Sequence, residues 1–195
     1  LDNGRSRILG SPLRESLSDL PFPDLTLIVN HEKISPTPFL TSRGCPYDCE
    51  FCSVTAYFGR KYRKRPVETV LAELALMRKR GSFAFFVDDN MIGNRAVAAE
   101  LLRFIVGYQE QNGRPFTFGT EVSLNLAQDR ELLALFRDAG FVWVFVGIET
   151  SDPQTLKDTR KIQNVHEDVL TSVRRIYSYG IDVLAGFIVG FDNDT

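Results

Sequence analysis

Three observations predict an α/β fold built on a parallel sheet. From Phe39 onward, short apolar runs rich in β-branched and aromatic residues alternate with amphipathic stretches. The apolar runs are continuous and not strictly alternating, which is how strands buried on both faces of a parallel sheet read. Four of the amphipathic stretches close on a glycine, Gly81, Gly113, Gly140 or Gly180, where a helix must stop and a strand begin. Parallel neighbours require crossovers, and these are right-handed. Five strands and four helices are too few for a closed eight-fold barrel, so a doubly wound open sheet and a partial barrel compete.

Taken in order, residues 1–36 carry Pro12, Pro21, Pro23 and Pro36 with little periodicity. They read as a lead-in or linker from a domain upstream, and residues 37–195 read as the core domain. The chain opens at Leu1 without a methionine and closes at Thr195 just after a strand-like run, so a piece of a longer protein is expected. Strands are expected at 37–42, 83–88, 116–121, 142–149 and 181–189. Pro66 suits a first helical position, ahead of Val70, Leu71, Leu74 and Met77. Asn94 can cap a helix carrying Val97, Leu101, Leu102 and Ile105, and Asp129 opens one through Leu132, Leu133 and Phe136. Asn164 with Glu167 three residues on reads as a variant capping box before Val169, Val173 and Ile176.

The only cysteines, Cys45, Cys49 and Cys52, fall within eight residues as C-x3-C-x2-C, with Phe51 just before the last. Three thiols cannot pair off, and a bridge across so short a loop would constrain little. A structural zinc site wants four ligands, and the only histidines, His31 and His166, belong to no recognisable metal-ligand pair. A redox pair of Cys49 and Cys52 leaves Cys45 surplus. Iron–sulfur ligation uses all three. The trio follows the first strand, at the edge where β/α barrels place their chemistry, and this favours the partial barrel.

With 195 residues, 44% of them hydrophobic, the chain can bury the core of about one domain. A net charge of −2 gives no bulk argument for nucleic acid or an anionic membrane. No apolar run is long enough to span a membrane, no signal segment opens the chain, and unpaired thiols point to the cytoplasm. The basic run Arg60-Lys-Tyr-Arg-Lys-Arg65 could grip RNA phosphates. On a chain without overall positive charge it reads better as a solvated loop buttressing the cysteine segment.

The cysteine spacing resembles that of the radical S-adenosylmethionine (SAM) superfamily. There, three cysteines hold three irons of a [4Fe-4S] cluster and leave the fourth iron for SAM. The layout resembles that family's TIM-like (β/α)6 partial barrel, here truncated after the fifth strand. The resemblance implies that Asp88, Asp89 and Asn90, after the second strand, hold the SAM amino group, with Glu121 and Ser123 contacting the ligand. Glu149, closing the apolar run 141–148, would bind the ribose, and among Lys157, Arg160 and Lys161 it is Arg160 that would meet the SAM carboxylate. Gly186 and Gly190, in Gly186-Phe-Ile-Val-Gly190, would let backbone approach the adenine, and Phe51 would lie against the adenine or shield the cluster.

A closer resemblance is to members with a cobalamin-binding domain ahead of the barrel, the hopanoid methylase-like proteins. It rests on Thr41-Ser-Arg-Gly-Cys-Pro46, Val87-Asp-Asp-Asn-Met-Ile-Gly-Asn94, Val122-Ser-Leu-Asn-Leu126, Phe145-Val-Gly-Ile-Glu-Thr150 and Lys161-Ile-Gln-Asn164, and covers Phe39 to the end. No cobalamin-ligating D-x-H-x-x-G is present, so such a domain would lie upstream. The resemblance implies reductive cleavage of SAM to a 5′-deoxyadenosyl radical, and methylation of an unactivated carbon with methylcobalamin. It implies a small-molecule or lipid substrate and a one-electron donor such as flavodoxin or ferredoxin, with no side chain needed as acid or base. A tRNA-modifying radical SAM enzyme and a non-catalytic zinc-stabilised module are the other readings.

Overall fold

A computed structural model describes residues 16–78 and 82–194; Leu1, Pro12, Gly81 and Thr195 lie outside the described residues. Residues 16–36 carry two short 3-10 turns, Leu25–Leu27 and His31–Lys33. The strands are β1 (Thr37–Phe39), β2 (Ser42–Arg43), β3 (Arg63–Lys64), β4 (Phe83–Phe86), β5 (Thr117–Val122), β6 (Phe141–Glu149) and β7 (Asp182–Phe187). The helices are α1 (Val54–Phe58), α2 (Val67–Met77), α3 (Arg95–Gln111), α4 (Arg130–Ala139), α5 (Pro153–Asp158) and α6 (Val169–Tyr177).

Five strands form one parallel sheet in the order β1-β4-β5-β6-β7, which is also their order along the chain. Right-handed crossovers between sequential neighbours leave every connecting helix on the same face. A doubly wound sheet must reverse its strand order to clothe both faces, and this one does not, so the architecture is a barrel wall. The helix-facing core gathers Val70 and Leu74 of α2, Leu102 and Ile105 of α3, and Leu132, Leu133 and Phe136 of α4. Against them runs an aromatic chain across four strands. Phe39 meets Phe86 edge-on at 4.9 Å, Phe86 meets Phe118 at 5.1 Å, and Phe118 meets Phe141 at 5.2 Å. On the opposite face Phe85 stacks on Trp143 at 5.0 Å. Both faces of the central strands are therefore covered by apolar side chains, which is why their sequences read as unbroken apolar runs.

The first strand is shorter than expected. After Phe39 the chain leaves the sheet, and Ser42 and Arg43 pair antiparallel with Lys64 and Arg63. Four long-range bonds pull it away: the Arg65 guanidinium donates to Leu40 O at 2.7 Å, Arg65 N donates to Thr41 O at 2.8 Å, and Asp88 takes the amides of Thr41 and Ser42. The last helix also begins later than expected. Asp168, not Asn164, caps α6 by accepting from Thr171 N, and Glu167 pairs with Arg175 at 2.6 Å.

Candidate functional site

All three thiols face one cavity of about 180 Å³ at the C-terminal edge of the sheet. Cys49 is buried, while Cys45 and Cys52 are half-buried. The loop that carries them is fixed at both ends. Gly44 N donates to Asp89 Oδ2 at 2.7 Å, and Glu50 N donates to Thr159 O at 3.0 Å, beyond β6. Tyr47 OH accepts from Asn125 Nδ2 at 2.9 Å, tying the loop to the exit of β5. Burial pushes the Cys45 thiol above its ordinary value; hydrogen bonds from Tyr47 backbone and Asn90 oppose this, and the nearby Cys49 and Cys52 add to it. Among the described residues no three His, Cys, Asp or Glu side chains are grouped around a single ion. Three cysteine thiols lining one cavity are the ligand type that iron–sulfur clusters take.

Strand exits supply the rest of the wall. Asp89 and Asn90 follow β4, Glu121 and Ser123 close β5, Glu149 closes β6, and all five line the same cavity. Asn90 Nδ2 lies 3.2 Å from Ser123 Oγ, which donates to Asn125 Oδ1 at 2.8 Å. The Asn90 oxygen is buried without a hydrogen-bond partner among the described residues. Burial first, then the charges of Asp89 and Asp88, raise the Glu121 carboxyl above its ordinary value.

Glu149 stands on a strained turn. Its φ is +68°, and Thr150 N reaches back to Ile148 O at 2.9 Å, the signature of a γ-turn of positive φ. Such backbone costs about 1–3 kcal/mol and persists only where its surroundings enforce it. Asn164 enforces it here, donating to Gly147 O at 2.9 Å. A Cβ at Gly147 would displace the Glu149 carboxylate from its position beside Lys161. The carboxylate pairs with Lys161 Nζ at 2.8 Å, and Lys161 also lines the cavity.

Several expected contacts fall elsewhere. Asp88 does not line the cysteine cavity: it is fully buried, accepting from Thr41 N at 2.7 Å, Ser42 N at 3.0 Å, Ser42 Oγ at 2.8 Å and Thr41 Oγ1. Both its oxygens are consumed in holding the start of the cysteine loop. Arg160 is solvent-exposed and pairs with Asp48 at 3.7 Å; Lys161, one residue on, is the cation at the cavity. Gly186 sits in β7 beside Gly147, where a Cβ would press on the Phe145 ring at 3.0 Å. Gly190, with Phe51 and Phe191, borders a neighbouring cavity of about 370 Å³; Phe51 lines both. Gln163 and Val54 also line the cysteine cavity, and nothing in their residue types marks them for it. The basic run is engaged internally: Arg60 faces Pro46 O at 3.4 Å, Lys64 pairs with Glu100 at 2.6 Å, and Arg65 pairs with Glu73 at 2.5 Å, both buried.

Residues 39–195 match the family model described as the Radical SAM superfamily. The chain is similar to the hopanoid C-2 methylase of Rhodopseudomonas palustris (strain TIE-1), 45% identical over 157 residues that make up 79% of this chain and 30% of that protein. It is 42% identical over 155 residues to an uncharacterized methyltransferase of Synechocystis, covering 78% of this chain and 29% of the relative. The chain thus spans about a third of the length of these curated relatives. Among solved structures, it resembles the radical SAM methyltransferase TsrM of Kitasatospora setae with cobalamin and a [4Fe-4S] cluster bound, at TM-score 0.68 and 22% identity, covering 77% of this chain and 30% of that one. The cobalamin-dependent enzyme OxsB with aqua-cobalamin bound superposes at TM-score 0.65 and 22% identity, over 77% and 23% of the two chains. At such identity these likenesses establish the partial-barrel fold.

Proposed function

The chain belongs to the Radical SAM superfamily, and from that premise we propose that it is the core of an enzyme that reductively cleaves SAM at a [4Fe-4S] cluster held by Cys45, Cys49 and Cys52. The observation that carries the reading is the convergence of all three thiols and five polar strand-end residues on one cavity. When bound, the cluster supplies the electron that splits the sulfonium; the protein positions the partners and keeps water away.

The wall is chemically suited to the ligand. The Asp89 and Glu121 carboxylates and the orphaned Asn90 oxygen offer acceptors to an ammonium, and a buried carbonyl without a partner gains most from such a donor. Glu149 is a ribose acceptor, and Lys161 in place of Arg160 is the cation for the ligand carboxylate. Phe51, 5.7 Å from Lys161 Nζ, covers the cavity mouth. Gly190 and Phe191 on the adjoining cavity leave room for the adenine.

The reaction we propose is methylation of an unactivated carbon, supported by the methylase names of the relatives, with cobalamin bound mainly by a domain outside residues 39–195. Residues 1–36 lead in from that domain. The substrate is a small molecule or lipid, the electron comes from a flavodoxin- or ferredoxin-type donor, and three unpaired thiols suit the reducing cytoplasm. Among the described residues no helix is long and apolar enough to cross a membrane.

Anaerobic reconstitution of the intact protein tests the reading. A brown protein with about four irons per chain is expected, and replacing any one cysteine by alanine should abolish SAM cleavage. A colourless protein holding one zinc, or cleavage that survives loss of a cysteine, overturns it.

A further inference from the structure

Two side-chain amides direct their N–H groups at the cysteine sulfurs. Gln163 Nε2 lies 3.4 Å from Cys49 Sγ, and Asn90 Nδ2 lies 3.8 Å from Cys45 Sγ. The two come from opposite sides of the cavity, one beyond β6 and the other after β4. Both amides are buried, and among the described residues the carbonyl oxygens of both have no hydrogen-bond partner. A neutral thiol would reward the reverse arrangement, since S–H is a donor and the carbonyl is the amide's acceptor. An amide N–H directed at sulfur is strengthened where that sulfur carries negative charge, as a metal-bound thiolate does. Among the described residues no side-chain hydrogen bond reaches Cys52 Sγ, so the three sulfurs are not equivalent.

On the reading that these thiolates hold an iron–sulfur cluster, we infer that Gln163 and Asn90 set its reduction potential through N–H···S bonds to Cys49 and Cys45. Reduction adds negative charge to the cluster and its sulfurs. Donors aimed at those sulfurs stabilise the reduced form and move the potential to more positive values. Gln163 is the cleaner probe, because among the described residues its side chain has no other hydrogen-bond partner, whereas Asn90 also meets Ser123. Both act as positioning and tuning residues, touching the ligand sulfurs and not the reacting carbon.

The test is a mediated redox titration of the reconstituted intact protein followed by EPR, comparing wild type with Gln163→Met, Asn90→Leu and the double variant. The expected result is unchanged iron content, a more negative potential in each single variant and a further shift in the double. Gln163→Glu, which replaces the donor by a carboxylate, should shift it further than Gln163→Met. In the reduced wild type, pulsed EPR after exchange into deuterium oxide should show exchangeable proton couplings that Gln163→Met lacks. Variants that keep about four irons with unchanged potentials overturn the tuning role and leave the cluster reading standing. A wild type that takes up no iron overturns both. Should either variant fail to fold, the wild-type couplings decide, and their absence overturns the inference.

Discussion

Glu149 and Lys161 meet at 2.8 Å across the mouth of the cysteine cavity, each side chain close to nine-tenths buried. Removing one partner of a buried pair leaves an uncompensated charge, so Lys161→Met should cost about 3 kcal/mol of stability. It should also weaken SAM binding about tenfold, or ~1.4 kcal/mol, with iron content unchanged. Pairing it with Glu149→Gln should restore part of the lost stability. Arg160→Met, at an exposed pair, should change stability by less than about 1 kcal/mol. Urea unfolding and calorimetric binding check all four statements, and a harmless Lys161→Met would refute the assignment of the cavity cation.

Asp88 satisfies four donors at the root of the cysteine loop. Asp88→Ala strands two backbone amides and two hydroxyls, a loss of about 3 kcal/mol or more. Because residues 41–44 lead directly into Cys45, the variant should also retain less iron after gel filtration. Stability within ~0.5 kcal/mol of wild type, the range of ordinary surface changes, would contradict the anchoring role.

Gly119 lies beneath the Trp143 indole, where an added methyl has no room. Gly119→Ala should destabilise the barrel by about 1–3 kcal/mol through overpacking. Trp143 is the sole tryptophan, so its emission spectrum reports the displaced ring directly. An unaltered spectrum together with unaltered stability would show that the stack on Phe85 adjusts freely.

The raised carboxyl of Glu121 predicts a pH dependence of ligand binding. On the proposed placement a sulfonium and ammonium beside it would favour the ionised form, so binding would expel a proton. Affinity should be weakest below the raised value, grow as pH climbs through it by at most about tenfold per unit, and level off above. Glu121→Gln should flatten the profile. Calorimetry in two buffers of different ionisation heat counts the protons, and net uptake instead of release would contradict the placement.

Local pattern was enough to read the parallel sheet, because the apolar runs and the caps of α3 and α4 are written within their own βα units. Asn94 and Asp129 cap α3 and α4 as their spacing suggests, accepting from Val97 N and Leu132 N. What escaped was decided by partners far along the chain. Asp88 and Asp89 are the same residue type side by side, and only the fold turns one toward Thr41 and the other toward Gly44. Arg160 and Lys161 are adjacent cations, but Arg160 occupies a left-handed turn, φ +59°, that sends its neighbour alone into the cavity. Asn164 looks like a helix cap in isolation and instead braces the carbonyls of Gly147 and Ile148. The short helices α1 and α5 lack a long enough amphipathic stretch to announce themselves.

Gln163 closes on Cys49 across 114 positions of sequence. During synthesis, which runs from the N-terminus, the sulfurs leave the ribosome well before the segments that shelter them. The cavity that gathers the three thiols is therefore complete only after α5 and the turn beyond it have docked. Until then the three thiols stand without the Gln163 amide that meets Cys49 in the finished fold.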